Sequence, residues 1–377
     1  MIKVGLGYIK DLPSREAGGL AARRALQSGE KPAITFLFTT EGYDQEEVLA
    51  SVQAETGGAP LIGACGAGVV TPEGVLQNGV GVLTLSGVGL AVATARADFG
   101  RRTPEETGRL LGERLLSISD VASGTVFVFP DGLAGNIAPM LRGLYDALGP
   151  DFQYVGGGTG DNLRFFRTYQ FTESGVSSGS VAAALVSGMA FGTGIGHGWQ
   201  PMGSPLVITR ADGKVVYELD ERPAFDVYAE RLGGIEPDRF PEYGVRFPLG
   251  IADASGRFII RDPLEIYAGG ALKMVTEMPA KAVVFLMEGE LESLAGVGRE
   301  VGRQALRGVQ TPRFGLVFNC VSRFLLLGEK HDEAAVIQDG LGIPLSLLGL
   351  LTFGEVGAYN DVPLFHNKTL VVAVGGE

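Results

Sequence analysis

Residues 62–85, IGACGAGVVTPEGVLQNGVGVLTL, and residues 351–374, LTFGEVGAYNDVPLFHNKTLVVAV, have one layout. Glycines lead into a polar loop, and an apolar β-branched strand closes the segment. A chain that repeats one supersecondary unit must pack the copies on each other, because a single unit has nothing to bury its apolar face against. Three places supply the opening half of such a unit: TFLFTTEG at 35–42, FVFPDGLAGN at 127–136 and GLVFNCVSR at 315–323. Each is a short buried strand running into a polar turn, and each is followed by apolar residues at helical spacing. The helices are DQEEVLASVQAE, opened by Asp44 with Glu47 three residues on, NIAPMLRGLYDAL, with Asn136 as candidate N-cap, and EKHDEAAVIQDGL. The glycines Gly66, Gly158 and Gly354 then follow 28, 29 and 36 residues beyond Phe38, Phe129 and Phe318. GVGVLTL, SVAAALV and TLVVAV close the three units.

The same strand–helix theme recurs in KVGLGY…SREAGGLAARRAL and in AVVFLMEGELESLAGVGREVGRQAL. Hairpins are expected at PLVITRADGKVVYEL and at LGIADASGRFIIRD, with a short helix from Pro223. These hairpins exclude an all-parallel sheet. The expected fold is α/β with mixed sheets, in two packed halves, 1–235 and 236–377, divided where Pro, Gly and charge cluster at 233–248.

Composition narrows the function. The 377 residues are 45% hydrophobic and 20% charged, which supports a large core. The 58 glycines have no collagen-like period and mark turns and close backbone approaches. A net charge of −12, with no basic run longer than Arg23-Arg24 or Arg101-Arg102, excludes nucleic acid and anionic membrane as expected partners. Cys65 and Cys320 form no CxxC pair, which points to a reducing compartment. The apolar stretches are too short or too broken for a signal peptide or a membrane span. A soluble, cytoplasmic protein is expected.

IGACGAG, FPDGLAGN, VGGGTGD, GHGW, LVITRADGKVVYELDERPAFDVY, LVFNCVSR and FGEVGAYNDVPLFHNKTLVV, in that order, resemble the FIST sensory domain family, its N-terminal and C-terminal halves together. The resemblance implies a ligand-sensing module of prokaryotic signal transduction with a preference for small ligands such as amino acids. Output would pass through a separate partner such as a histidine kinase or cyclase. Some members resemble haem-binding nitric oxide sensors. One departure is Cys65-Gly66-Ala67, where members often carry a Cys-Ser-Thr-type stretch.

Asp131 and Gly132 sit between a strand and a helix, where α/β proteins bind ligands; an Asx turn is the alternative. VGGGTGD lacks the Lys-Ser/Thr ending of a phosphate loop, so Asp161 is a candidate polar contact or a turn former. His197 lies beside Trp199, the only tryptophan, with glycines on both sides, a setting expected to expose the ring to a planar ligand. It is the candidate axial ligand if haem is bound; otherwise no cofactor and no metal cluster are expected. His331 is expected on an exposed helix start and His366 at a strand-entry turn. Arg323 is placed to clamp a carboxylate, with Glu355 holding an ammonium; an internal Arg–Glu pair is the competing reading. Asn136, Trp199, Cys65, Cys320 and the neighbouring Asn319 complete the candidate ligand set, with a cysteine-dependent hydrolase or transferase as a distant alternative. If equivalent loops converge, Asp131, Asp161, Arg323 and Glu355 line one cleft between the halves, and no catalytic residue is assigned.

Overall fold

A computed structural model describes residues 1–26, 31–253, 256–328 and 331–377. The first unit runs β1 (Lys3–Lys10), α1 (Ser14–Ala25), β2 (Ile34–Thr40), α2 (Gln45–Thr56), β3 (Leu61–Gly66), a hairpin of β4 (Val69–Thr71) and β5 (Gly74–Leu76), and β6 (Gly79–Ser86). The second runs β7 (Ala91–Asp98), α3 (Pro104–Ile118), β8 (Gly124–Pro130), α4 (Ile137–Leu148), β9 (Phe152–Gly157), the hairpin β10 (Gln170–Thr172) and β11 (Gly175–Ser177), and β12 (Ser180–Ser187). The third opens with β13 (Ala190–Gly196) and is then interrupted by an insertion. The insertion comprises β14 (Gln200–Asp212), β15 (Val215–Leu219), β16 (Arg222–Pro223), α5 (Ala224–Arg231), α6 (Phe240–Gly244), β17 (Leu249–Ala252), β18 (Phe258–Arg261), β19 (Pro263–Tyr267), β20 (Ala271–Met274) and β21 (Val283–Glu288). The unit resumes with α7 (Leu291–Ala305), β22 (Pro312–Cys320), α8 (Val321–Leu327), α9 (Glu333–Leu341), β23 (Ser346–Thr352), the hairpin β24 (Glu355–Tyr359) and β25 (Val362–His366), and β26 (Leu370–Gly376). Ala254 and Ser255 of the expected ADASG turn, and Glu329 and Lys330 of the expected third helix, lie outside the described residues.

The three units share one topology. Their strand orders are β1-β6-β2-β3, β7-β12-β8-β9 and β13-β26-β22-β23, with the inner pair antiparallel and the last pair parallel each time. Each sheet is then widened by a hairpin from another unit. Hairpin β10–β11 joins the first sheet, β24–β25 the second and β4–β5 the third, so the exchange runs in a ring. The architecture is α/β with mixed sheets, and the insertion forms a separate eight-stranded sheet.

Register identifies the equivalent positions. Phe38, Phe129 and Phe318 pair with Gly81, Ala182 and Val371 of the closing strands, and their rings touch pairwise at centroid distances of 5.6, 5.6 and 6.1 Å. This triangle marks a pseudo-threefold axis through the central core. The repeated glycine is not the one spacing suggests. Gly66 aligns with Thr159 and Thr352, opposite Thr40, Asp131 and Cys320, rather than with Gly158 and Gly354. The equivalent glycines are Gly63, Gly156 and Gly349. A Cβ there would stand 1.9, 2.1 and 2.2 Å from the carbonyl oxygens of Leu37, Val128 and Val317, so no side chain fits where the parallel strands approach.

The junction at 235/236 falls within the insertion, just after α5. Asn136 precedes α4 but is no side-chain cap: it sits at φ 53° and makes no capping bond. Asp44 does cap α2, accepting from the Glu46 and Glu47 amides.

Candidate functional site

Three equivalent strand ends meet at one end of the axis, and they have diverged. In the first unit Thr39 donates to Gln45 at the start of α2 at 2.6 Å, and the Gln45 amide donates to the Thr40 and Tyr43 carbonyls. This is a closed, neutral arrangement. In the second, Pro130 and Ile137 occupy the matching places, and the insertion reaches over them, with Glu277 accepting from the Asn136 amide. At the two matching places only the third unit carries a charged residue: Asn319 and Arg323 both donate to Glu333 at the start of α9, Arg323 at 2.6 Å. Glu333 matches Gln45 as the first residue of its helix.

Arg323 is fully buried and also donates to the His197 and Leu294 carbonyls at 2.8 and 2.9 Å. It is therefore a member of an internal ion pair, with Glu333 and not with Glu355. Glu355 is equally buried and accepts from Thr352 Oγ1 at 2.8 Å and the Thr369 amide at 3.2 Å. Burial drives its carboxyl well above the usual range despite those bonds and the charge of Arg323. Its neighbour Cys320 is buried too, and desolvation, then the Glu355 charge, pushes the thiol up to about 12. Cys65 has no exposed surface, and burial raises it further. Thiols that stay protonated at neutral pH are not nucleophiles.

The insertion docks on this strand end through buried polar contacts that sequence reasoning missed. Lys368, without exposed surface, pairs with Asp262 at 3.1 Å and donates to the Val245 carbonyl. Arg261 donates to the Phe365 carbonyl, and Thr276 to Asn367. Trp199 is 1% exposed, its Nε1 donating to the Arg246 carbonyl, with Lys368 and Arg323 5.6 and 5.9 Å from the indole ring. The open aromatic face expected at GHGW is thus filled. His197 Nδ1 accepts the Trp199 amide proton, and burial, reinforced by Arg323, pushes the imidazole down to about 4. A haem axial bond at Nδ1 would have to displace that contact, and the Phe258 main chain already bonds the imidazole. One sequence signal for the docking existed: a lysine and a histidine in HNKT, set between apolar strands.

Beside Asn319 lies a hollow of about 300 Å³ between the β4–β5 hairpin and α8–α9, lined by Val75, Val317, Phe324, His331, Glu333 and Ile337 among others. Asn319 Oδ1 and His331 Nε2 are buried with no hydrogen-bond partner. His331 precedes α9, half-buried rather than exposed.

The FIST N domain matches residues 33–222 and the FIST C domain residues 224–358. The chain belongs to the FIST family. FIST domains are sensory domains of signal transduction. An uncharacterized Mycobacterium tuberculosis protein is 27% identical over 390 residues, and an uncharacterized Mycobacterium bovis protein is 25% identical over 394; each alignment spans 98% or more of both chains. Among solved structures, cyanuric acid hydrolase from A. caulinodans aligns over the full length of both chains with a TM-score of 0.40 and 9% identity.

In this FIST chain the four residues expected to share a cleft are each engaged in contacts of their own. Arg323 and Glu355 belong to the buried layer just described. Asp131 accepts from the Leu133 and Gly179 amides at 2.9 and 3.0 Å, an Asx-type turn that ties two loops. Gly132 packs against Phe353 and the Thr159 carbonyl. Asp161 accepts from the Phe165, Phe166 and Arg167 amides and edges a separate surface hollow with Glu41 and Arg164. The described residues hold no cluster of three or more His, Cys, Asp or Glu that could bind a metal, and no helix long and apolar enough to cross a membrane.

Proposed function

We propose that this FIST chain is a cytoplasmic small-molecule sensor, binding a ligand of amino-acid size in the hollow between the β4–β5 hairpin of the N-terminal half and α8–α9 of the C-terminal half. The observation that carries the reading is the divergence of three equivalent strand ends. Two are closed by their own side chains or by the insertion. The third adjoins a hollow and keeps a buried acceptor, Asn319 Oδ1, without a partner, a state that native structures rarely leave unexplained. The hollow joins parts of the chain from opposite ends, so a ligand there bears on the contact between halves. Output then passes to a separate signalling protein of the kinase or cyclase type.

Thermal denaturation against a library of amino acids, amines and small acids tests the reading. A true ligand at one hundred times Kd adds about 2.7 kcal/mol of stability by mass action. Protein shown by native mass spectrometry to carry no ligand, yet unmoved by every compound, would refute it.

A further inference from the structure

One loop breaks the threefold pattern. Residues 67–68 join β3 to β4 and residues 353–354 join β23 to β24, whereas the matching connection from β9 to β10 runs from 158 to 169. Within it Asn162, Leu163 and Phe165 adopt φ of 52, 63 and 54°, a left-handed region that a branched or aromatic side chain enters only under constraint. Asp161 supplies the constraint. It is 1% exposed and accepts from the Phe165, Phe166 and Arg167 amides at 2.9, 2.6 and 2.9 Å. The Phe165 ring also rests on Phe353, with 5.2 Å between centroids. The outcome is a fixed display of apolar side chains: Leu163 is 36% exposed, Phe165 59% and Phe166 87%. Backbone strain that holds phenylalanines out in water opposes stability twice, and such a feature marks a contact surface.

We propose that this loop is an isologous interface, covered by the same loop of a second copy of this chain. Beside its tip lies a hollow of about 360 Å³ bounded by Glu41, Asp161, Arg164, Phe166, Arg167 and Tyr169. A protruding ring and a recess on one face are what a twofold axis matches, since each copy supplies the knob for the other's hollow. The recess suits an aromatic guest: Phe166 and Tyr169 line it, and the Arg167 guanidinium lies 5.0 Å from the Tyr169 centroid. The face also carries both signs of charge. Arg164 pairs with Glu41 at 2.8 Å, with side chains 67% and 22% exposed. An exposed pair of this kind contributes little where it stands and exchanges for the same pair between copies. Copies of a chain with net charge −12 repel at long range, so they meet most readily where guanidinium faces carboxylate. An anionic lipid surface fits less well, because it would meet the same net charge.

Sedimentation velocity of the full chain, from about 1 μM to about 1 mM, reads the association. A monomer–dimer equilibrium is expected, and Phe166→Ser, at a largely exposed position, weakens it at least about tenfold. Charge reversal tests the twofold. Glu41→Arg and Arg164→Glu each weaken self-association, and mixing the two variants restores it, because each supplies the sign that the other lacks. Repulsion inside one chain is unchanged by mixing, so recovery reports a contact between copies. A chain that stays monomeric throughout, or a dimer that Phe166→Ser leaves intact, overturns the inference. Flotation with neutral and with anionic phospholipid vesicles tests the other occupant: binding of the parent chain that Phe166→Ser abolishes would assign the loop to lipid and overturn the inference as well.

Discussion

Replacing Arg323 with alanine removes one guanidinium and strands three partners. Glu333, only 9% exposed, loses an ion pair of 2.6 Å, and the His197 and Leu294 carbonyls lose donors at 2.8 and 2.9 Å. Breaking a buried pair from one side costs about 3–5 kcal/mol, because a charge stays buried without compensation. Buried carbonyls left without a donor add about 1 kcal/mol each unless water reaches them. A loss near 5 kcal/mol is a large part of the stability of an ordinary folded chain. The paired change Arg323→Met with Glu333→Leu removes both charges and should recover most of the loss, since apolar replacements of a buried pair are often close to neutral. Urea unfolding followed by tryptophan fluorescence reads the effect where it occurs, because the single tryptophan lies 5.9 Å from the guanidinium. Arg323→Ala within about 1 kcal/mol of the parent, or a double variant no more stable than the single one, would refute the assignment of Arg323 to an internal pair.

The phenylalanine triangle predicts that Phe38→Ala, Phe129→Ala and Phe318→Ala each cost about 3–5 kcal/mol in the same denaturation assay; a position costing under about 1 kcal/mol would break the equivalence. Stability should also depend on pH with two opposed signs. His197 and His366, held at about 4 and about 3 by burial, refuse protons that the unfolded chain accepts below its ordinary value near 6.5. Their contribution is complete above that value and is lost toward pH 4 for His197 and pH 3 for His366, with a limiting slope of about 1.4 kcal/mol per pH unit for each histidine. Glu355 is raised by burial, so its contribution is full below about pH 4.5 and is lost as pH rises. Glu355→Gln should therefore stabilise the protein at pH 7.5 and steepen the acid-side fall. Lower stability of that variant at pH 7.5 would contradict the burial argument.

Local pattern revealed the strands and helices, because alternation, capping residues and helical spacing are short-range signals. It also revealed the three phenylalanines, since strand-end position relative to a turn is local. Glycine alignment was not legible: Gly66 stands out in the text, but Gly63 is the residue that parallel-strand register demands. The partner of Arg323 was hidden for a related reason. Glu355 sits in the more conspicuous motif, whereas Glu333 reaches the guanidinium only because α9 begins at that depth. Burial of Trp199 depends on an insertion docking from elsewhere in the chain, and no neighbouring residue announces it. Asp131 and Asp161 read as ligand contacts because main-chain amides, which the sequence does not display, are what satisfy them.

The ring of exchanged hairpins bears on how this chain reaches its fold. Val69 and Val70 pair with Leu350 and Gly349, near opposite ends of the polypeptide. Emerging from the ribosome, the first unit would carry β4–β5 without its sheet until the last unit is made, and the first sheet would wait for β10–β11. Contacts this distant in sequence slow folding and leave strand edges open while they are awaited. Cutting the chain between units should therefore yield fragments that aggregate alone and regain solubility when co-expressed, with closure of the first unit onto the last as the final, slowest step.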